Sequence, residues 1–284
     1  MSTRIGFVDY YLDEWHANHY PKWIRALCEA SGADFTVAYA WAELDEPPTG
    51  GRSTATWCEE MGIARCATID ELCQRSDCIV ILAPSDPQTH LAYAQAVFPY
   101  GKPTYVDKTF APDGAVAEAI FALAAAHGTP FFSTSALRYA TELEELRDVI
   151  HLTVGGSGSN FPEYSIHLAE LAVKLLPMPV TEVKVTSLGG SRLLCSLRTA
   201  GEASATLLYS PSMAYFVDAC LADGKHVWRA LKSDFFAGLM RDMLRFFESR
   251  TPSFDPAQTL AVAHLREALL IAAQSPDAWI DARS

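Results

Sequence analysis

A lysine at the carboxyl end of a short apolar strand is the residue whose position most directly suggests chemistry. Lys108 closes the segment 101–108, in which a tight turn and a short strand precede an acid–lysine pair. The apolar strand 78–84 lies upstream, and the helical pattern 90–98 lies between the two strands. Strand, helix and strand form a βαβ unit, whose ligand binds beyond the carboxyl ends of the strands. We therefore expect Lys108 to hold or transfer a proton at a ligand site.

A carboxylate and an imidazole share a helical face in the second half of the chain. Glu163 and His167 are four residues apart, near the start of the helix predicted at 162–176. A carboxylate orients an imidazole ring and raises its basicity, so the pair is a candidate for proton transfer. The same spacing is also typical of an ordinary surface pair or of a histidine in the core.

The elements that position Lys108 alternate between strands and helices. Strands are predicted at 4–8, 35–40, 78–84, 101–108 and 131–133, and helices at 21–31, 56–61, from 68 onwards, 90–98 and 113–127. Alternation of this kind predicts an α/β fold with a doubly wound parallel sheet. We assign residues 1–134 to a Rossmann-like nucleotide-binding domain.

The second half has closely spaced strand patterns instead. Strands are predicted at 149–154, 181–188, 192–199, 203–209, 214–219 and 226–230, and helices at 162–176, 235–248 and 256–274. Strands joined by short turns pair mostly in the antiparallel sense. We assign residues 135–284 to an α+β domain for substrate binding and oligomerisation, with an open, mostly antiparallel sheet.

Composition excludes several classes of partner and site. The net charge of −12 argues against nucleic acid or an anionic membrane as a main partner, since both favour clustered Lys and Arg. No segment has the unbroken apolar length of a membrane span. The seven cysteines are odd in number and include no C-x-x-C pair, which predicts neither disulfides nor a zinc site. We expect a cytoplasmic protein with reduced thiols.

The motifs around Lys108 and His167 together resemble those of the Gfo/Idh/MocA family of nicotinamide-dependent sugar and inositol oxidoreductases. The Glu-Lys-Pro motif of that family is matched by Asp-Lys-Thr at 107–109, and its Asp-x-x-x-His motif by Glu-Tyr-Ser-Ile-His at 163–167. The resemblance implies catalytic acid/base roles for Lys108 and His167, with Glu163 binding substrate or supporting His167. It also implies NAD or NADP as cofactor and a CH–OH group of a sugar, inositol or related polyol as the reacting group.

A homo-oligomer is a further implication of the resemblance, because members of that family usually associate through the exposed sheet of the second domain. The predicted strand 192–199 agrees with this, since one of its faces is apolar and the other is mixed.

The first turn departs from a dinucleotide-binding domain, which needs G-x-G-x-x-G directly after its first strand. Asp9 and Tyr11 occupy the positions of the first two glycines, and a tyrosine fills space that the phosphate needs. Three acids, Asp9, Asp13 and Glu14, add repulsion toward a diphosphate of about 1 kcal/mol each at about 4 Å in water. Trp41 stands where an acid that binds the ribose hydroxyls is expected.

The segment 9–19 has an unusual composition, with two His, three acids, two Tyr and one Trp. One hypothesis is a rebuilt ligand site for a sugar, a differently posed nucleotide or a metal. The alternative is a loop that plugs an unused nucleotide pocket. Metal binding is the weaker version, because no pair within the segment has a recognised ligand spacing; we predict no metal site.

Other candidate residues follow from position at the mouth of the sheet or at the boundary between the domains. Turn chemistry explains the Ser-Asp-Pro segment at 85–87 equally well, and a helix cap or an ion pair explains the Arg-Tyr pair at 138–139. The candidate cofactor-binding residues are Val8, Asp9, Tyr10, Trp41, Ala83, Pro84, Ser85, His90 and Asp107, and the candidate substrate-binding residues are Asp86, Glu14, His16, Arg138 and Tyr139.

Three functions are compatible with these features. The first is an NAD(P)-dependent oxidoreductase of a small sugar or polyol, in which Lys108 and His167 handle the hydroxyl proton. The second is a non-redox enzyme that keeps proton chemistry on the same scaffold. The third is a ligand-binding or scaffolding protein without catalysis. The lost glycines favour the second and third functions, whereas Lys108, Glu163 and His167 favour the first.

Overall fold

The computed structural model describes residues 2–177 and 179–282. The chain divides into two compact units. The first unit comprises Met1–Ala111, Ala115–Thr134 and Leu239–Asp255, and the second comprises Pro112–Gly114, Ser135–Gly238 and Pro256–Ser284.

A six-stranded parallel sheet forms the centre of the first unit. Its strands are β1 (Thr3–Asp9), β2 (Phe35–Ala42), β3 (Ala64–Arg65), β4 (Cys78–Ile81), β5 (Thr104–Val106) and β6 (Phe131–Phe132). The order across the sheet is β3-β2-β1-β4-β5-β6, and every neighbouring pair is parallel. This is the doubly wound order, in which the chain changes direction across the sheet between β1 and β4. The predicted Rossmann-like fold is confirmed.

Helices connect these strands. They are α1 (Trp15–Ser31), α2 (Thr54–Met61), α3 (Ile69–Arg75), α4 (His90–Val97) and α5 (Gly114–His127), with short 3-10 helices at Pro87–Thr89 and Phe98–Tyr100. Helix α3 packs closely on β1, since a Cβ at Gly6 would lie 2.6 Å from Leu72 Cδ2 in this helix and 2.4 Å from Ser76 Oγ directly after it. Strands β1 and β4 are buried along most of their length, as expected for central strands covered on both faces.

The predicted start of the first helix at Pro21 is wrong. Helix α1 begins at Trp15, so Trp15–His19 of the unusual segment is helical, and Pro21 lies inside the helix. The Glu14 side chain caps the helix by accepting backbone N–H bonds from His16 and Ala17. Glu is not among the preferred capping residues, whereas Pro is common at the first helical position, so the local sequence favoured the later start.

A seven-stranded mixed sheet forms the second unit. Its strands are β7 (Val149–Gly156), β8 (Val180–Ser187), β9 (Leu193–Thr199), β10 (Ser204–Tyr209), β11 (Phe216–Leu221), β12 (His226–Ala230) and β13 (Trp279–Asp281). They are ordered β12-β11-β7-β10-β9-β8-β13. All neighbours are antiparallel except β7 and β10, which are parallel. The mostly antiparallel sheet is confirmed, and β13 is an additional edge strand.

The remaining helices are α6 (Phe161–Leu175), α7 (Phe235–Ser249) and α8 (Ala257–Gln274), with 3-10 helices at Ala136–Tyr139 and Thr141–Leu143. Helices α6 and α8 pack against each other and against the sheet, forming one apolar core with its inward side chains. Cys195 and Leu197 of β9 belong to this core, whereas Arg198 is exposed. Within the part of the chain that the structure describes, no helix is long and apolar enough to cross a membrane.

The part of α7 that belongs to the first unit should be essential to the stability of that unit. Phe246 is 0 % exposed, and its ring meets the ring of Phe132 edge to face at 4.8 Å. We expect Phe246→Ala to lower the free energy of unfolding of the first unit by about 3–5 kcal/mol, because the buried ring is lost and a cavity remains. Urea unfolding measures this loss. Glu248→Ala, on an exposed position of α7, should change stability little; equal effects of the two variants would contradict the packing.

Candidate functional site

The carboxyl ends of β1, β4 and β5 converge around buried carboxylates. Asp9 is the last residue of β1, Ala83 follows β4, and Asp107 follows β5. The carboxylate oxygen Asp9 Oδ1 accepts the N–H of Tyr10 at 2.7 Å and the N–H of Ala83 at 2.9 Å. Asp9 therefore joins the ends of β1 and β4, the position at which a doubly wound sheet binds its ligand.

Asp9 is in an environment that disfavours its charge. It is 1 % exposed, and its second oxygen, Oδ2, has no hydrogen-bond partner among the described residues. Burial, followed by the charges of Glu14 and Asp107, raises the pKa of Asp9 well above its usual range, and the two backbone N–H bonds only partly oppose this. The neutral form of Asp9 is therefore favoured well above the pH at which an ordinary aspartate ionises.

Because the pKa of Asp9 is raised in the folded protein, we expect its contribution to the free energy of unfolding to fall as pH rises. A carboxyl with a raised pKa in the folded state contributes stability that is present below its unfolded pKa and is lost as pH rises toward its folded pKa. We expect Asp9→Asn to gain stability relative to the natural protein as pH rises from about 4 to about 8. Urea unfolding across this range measures the difference, with Asp34→Asn at an exposed position as the control. A difference that stays constant with pH would contradict the assignment.

A second buried carboxylate, Asp107, is held by two tyrosines and faces a histidine. Its Oδ1 accepts the hydroxyls of Tyr105 at 2.9 Å and Tyr20 at 3.2 Å. His16 Nε2 lies 3.6 Å from Asp107 Oδ2, and His16 Nδ1 lies 3.1 Å from Glu14 Oε2. The imidazole of His16 thus stands between two carboxylates, one on each ring nitrogen, and links the start of α1 to the end of β5.

Glu14 occupies the amino end of α1. Its carboxylate accepts the N–H of His16 at 2.8 Å and also the N–H of Ala17. In dinucleotide-binding domains the first turn of this helix instead presents its N–H groups to the diphosphate. With Glu14 on these amides and Asp9 in place of the first glycine, the residues of this chain do not fit a diphosphate at that position.

Asp13 does not add to this negative charge, contrary to the sequence-based expectation. Its Oδ1 lies 2.5 Å from Arg52 Nη2, and its Oδ2 accepts the backbone N–H of Arg52 at 2.9 Å. The Arg52 guanidinium, with a further bond from Asn18, holds the pKa of Asp13 below its usual range. This aspartate is therefore one partner of an ion pair that fastens the loop before α2.

Two residues at the end of β2, Trp41 and Glu43, both contact Tyr93 of α4. The half-buried ring of Trp41 meets the ring of Tyr93 edge to face at 5.9 Å. The Tyr93 hydroxyl donates to Glu43 Oε2 at 2.6 Å, and the Glu43 N–H donates to the Asp9 carbonyl at 3.1 Å. Val8, another candidate, is fully buried within β1.

The loop after β4 is organised by turn contacts and by a buried histidine. The Asp86 carbonyl accepts the N–H and the hydroxyl of Thr89, as in an ordinary turn. His90 is 0 % exposed, with Nδ1 2.9 Å from the Phe110 carbonyl and Nε2 2.6 Å from the Leu82 carbonyl. His90 thus joins the loop after β4 to the loop after β5. Of the other candidates there, Pro84 is buried and Ser85 is exposed.

Lys108 directly follows the buried Asp107 and is itself half-buried. The backbone here includes a cis peptide bond between Lys108 and Thr109. The Thr109 N–H donates to the Pro84 carbonyl at 3.4 Å, so the segment after β5 is attached to the loop after β4. Lys108 thus stands beyond the carboxyl end of a central strand, where the sequence predicted it.

His167 has a defined environment within the second unit. It is half-buried on α6, and its Nδ1 lies 2.7 Å from the hydroxyl of Ser135. The rings of Tyr164 and Tyr215 flank it, with centroids at 5.7 and 5.9 Å. Glu163, four residues earlier, accepts a bond from the Asn160 amide at 3.1 Å in the first turn of the helix.

Arg138 belongs to a buried ion pair. It contacts Glu170 through Nε and donates to Gln258 Oε1 at 2.7 Å through Nη1, and both charged partners are almost fully buried. Glu170 also accepts the N–H of Ser135 at 3.1 Å, so this pair supports the residue that contacts His167. Tyr139, the neighbouring candidate, is half-buried in the same 3-10 helix.

The sequence analysis missed several of these residues. Tyr20 is four residues after His16 on α1, so the two side chains share a helical face. Tyr105 is two residues before Asp107, so these two share a face of the strand, and both spacings were visible in the sequence. Ser135 and Glu170 had no local signal, because each acts through residues more than 30 positions away. Among the described residues, no group of three or more His, Cys, Asp or Glu side chains is arranged to hold a metal ion.

Solved structures with the same two-unit fold include several dehydrogenases. Myo-inositol dehydrogenase from Corynebacterium glutamicum ATCC 13032 has a TM-score of 0.74 at 13% identity, covering 99% of both chains. UDP-N-acetylglucosamine 3-dehydrogenase GnnA from Acidithiobacillus ferrooxidans has a TM-score of 0.75 at 14% identity, covering 96% of this chain and 98% of that chain. An oxidoreductase from Agrobacterium radiobacter, in complex with NAD+, L-tartaric acid and magnesium, has a TM-score of 0.73 at 12% identity, covering 99% of both chains.

Comparison of the sequence with models of protein families gives no match, and comparison with curated proteins gives none either. At these identities the similarity to solved structures establishes the fold. The fold that the sequence resemblance implied, a Rossmann-like unit followed by a mixed-sheet unit, is the fold of these oxidoreductases.

Proposed function

We propose that this chain is an oxidoreductase that acts on a CH–OH group of a sugar, inositol or related polyol, with NAD or NADP as its redox cofactor. The observation that carries the proposal is Lys108, placed beyond the carboxyl end of β5 in a chain that matches an inositol dehydrogenase along its whole length. That edge of a doubly wound sheet is where substrates and cofactors bind.

The chain supplies proton chemistry through two side chains. The ammonium of Lys108 is suited to exchanging a proton with the substrate hydroxyl, and the imidazole of His167 is suited to the same task or to holding that hydroxyl. Ser135 and the two flanking tyrosines restrict the orientation of the His167 ring. Glu163, on the same helix, is the proposed contact to a further substrate hydroxyl.

The cofactor class is supported by the solved structures and not by the first turn of this chain. A structure of this fold was obtained with NAD+, a cofactor that would supply or accept a hydride. The Glu14 carboxylate occupies the amides at the start of α1 that would hold the diphosphate.

A second candidate function follows from the same occupied amides. A non-redox enzyme, or a ligand-binding protein that no longer binds free dinucleotide, would keep the fold and Lys108 without a diphosphate site. The capping of α1 by Glu14 is the specific observation that favours this alternative.

Cofactor binding distinguishes the two functions. If NADH or NADPH binds, a concentration of about 100 Kd should add about 2.7 kcal/mol to the free energy of unfolding. Thermal shift measures this gain, and energy transfer from the six tryptophans to the reduced nicotinamide provides an independent signal. Absence of both signals at about millimolar cofactor would remove the oxidoreductase proposal and leave the alternative.

The role of Lys108 can be tested by turnover. We expect Lys108→Met to lower kcat by about 10²- to 10⁴-fold with a smaller change in KM, because the variant loses a proton-transfer group but keeps a side chain of similar length. The assay is turnover of a panel of sugars and polyols. Lys22→Met, at an exposed position of α1, is the matched control. Full activity of Lys108→Met would show that another group handles the proton.

The remaining parts of the proposal concern partners and location. We propose a homo-oligomer that associates through the second sheet, on the face opposite α6 and α8, and a cytoplasmic location. Trp228 on the edge strand β12 is 59% exposed, which agrees with a surface available for association.

A further inference from the structure

The amino end of α1 is already neutralised from within the chain. One Glu14 oxygen accepts the N–H of Ala17, and the other accepts the N–H of His16 at 2.8 Å and lies 3.1 Å from His16 Nδ1. A carboxylate and a phosphate oxygen make the same kind of charge-assisted bonds to the first amides of a helix. An internal carboxylate and an external diphosphate therefore compete for the same donors.

Of the acids near this position, Glu14 is the one on the helix amides. Asp13 is paired with Arg52. Asp9 lies at the end of β1 with its Oδ2 buried and lacking a hydrogen-bond partner among the described residues, and its neutral form is favoured. Asp107 is engaged by Tyr20 and Tyr105. An anion arriving at α1 would consequently meet the Glu14 carboxylate first, with buried acids behind it.

We propose that Glu14 is a specificity-determining residue, a built-in anion that fills the phosphate position of the first unit and selects against ligands that place a diphosphate there. The first unit therefore favours neutral or cationic groups at this edge of the sheet, such as the hydroxyls of an unphosphorylated polyol. This inference does not rest on the proposed function. If NAD or NADP binds while Glu14 stays on the helix amides, residues elsewhere must hold the diphosphate, and the role of Glu14 is the same.

The inference predicts that removing the charge creates an anion site. We expect Glu14→Ala to bind inorganic pyrophosphate with a Kd at least tenfold lower than the natural protein, because the amides of His16 and Ala17 become available. Asp9→Asn/Glu14→Ala should bind it at least as tightly, since removing Glu14 alone makes Asp9 easier to ionise. The measurement is titration calorimetry on the full chain, together with thermal shift against sodium sulfate at equal ionic strength.

Two further variants separate this effect from the loss of an ordinary helix cap. Ser53 caps α2 in the same unit by accepting the Thr56 N–H at 3.2 Å. We expect Ser53→Ala to open the start of α2 without a gain in pyrophosphate affinity, because this variant removes a neutral cap and no negative charge. Glu14→Gly also removes the side chain from the amides, is tolerated at the start of a helix, and serves if the alanine variants fold poorly. A natural protein that binds pyrophosphate as tightly as the Glu14 variants, or folded variants that gain no affinity, would overturn the inference.

The result of the pyrophosphate titration can be interpreted independently of the NADH-binding experiment. Failure of NADH to bind the natural protein removes the proposed oxidoreductase function but leaves the prediction for pyrophosphate unchanged. Gain of pyrophosphate affinity only in the Glu14 variants supports the inference whether or not the natural protein binds NADH.

Discussion

The parallel sheet of the first unit forces the carboxyl ends of its central strands to one edge, and the burial of two carboxyl groups at that edge is the constraint on which the site depends. Asp9 and Asp107 both lie there, each 1 % exposed. Burying polar carboxyl groups away from water is costly unless hydrogen-bond partners compensate for it. The chain compensates with backbone N–H groups for Asp9, tyrosine hydroxyls for Asp107, and His16 between Glu14 and Asp107.

These contacts also show how the chain keeps a doubly wound sheet with other residues at the position that a dinucleotide-binding domain gives to its glycines. Replacing a glycine by Asp9 gives the end of β1 a side chain that bonds to the loop after β4. The Glu14 carboxylate takes the place of a ligand phosphate and accepts N–H groups in the first turn of α1, which have no partner within the helix. The chain thus has the fold of the solved oxidoreductases, while the group that occupies the amides at the start of α1 belongs to the protein itself.

Much of the fold followed from patterns that are local in sequence. Alternating strands and helices predicted the doubly wound sheet, and Gly32 and Gly128 mark helix ends in the left-handed conformation, as punctuation by glycine suggests. The start of α1 was missed because its cap is a glutamate and because Pro21 resembles a first helical residue. The parallel pairing of β7 with β10 was not predicted, since it joins strands far apart in the chain and no turn specifies it.

The sequence by itself determined most of the helices and the longer strands, and that Lys108 follows a strand at the ligand-binding edge. Periodicity and the order of elements are properties of neighbouring residues, so they can be recognised without coordinates. Only the tertiary structure decided which polar groups meet: that Arg52 neutralises Asp13, that Ser135 contacts His167, and that Glu14 occupies the start of α1. Hydrogen bonds and pKa values depend on distance and burial in space, and the linear order of residues does not contain them.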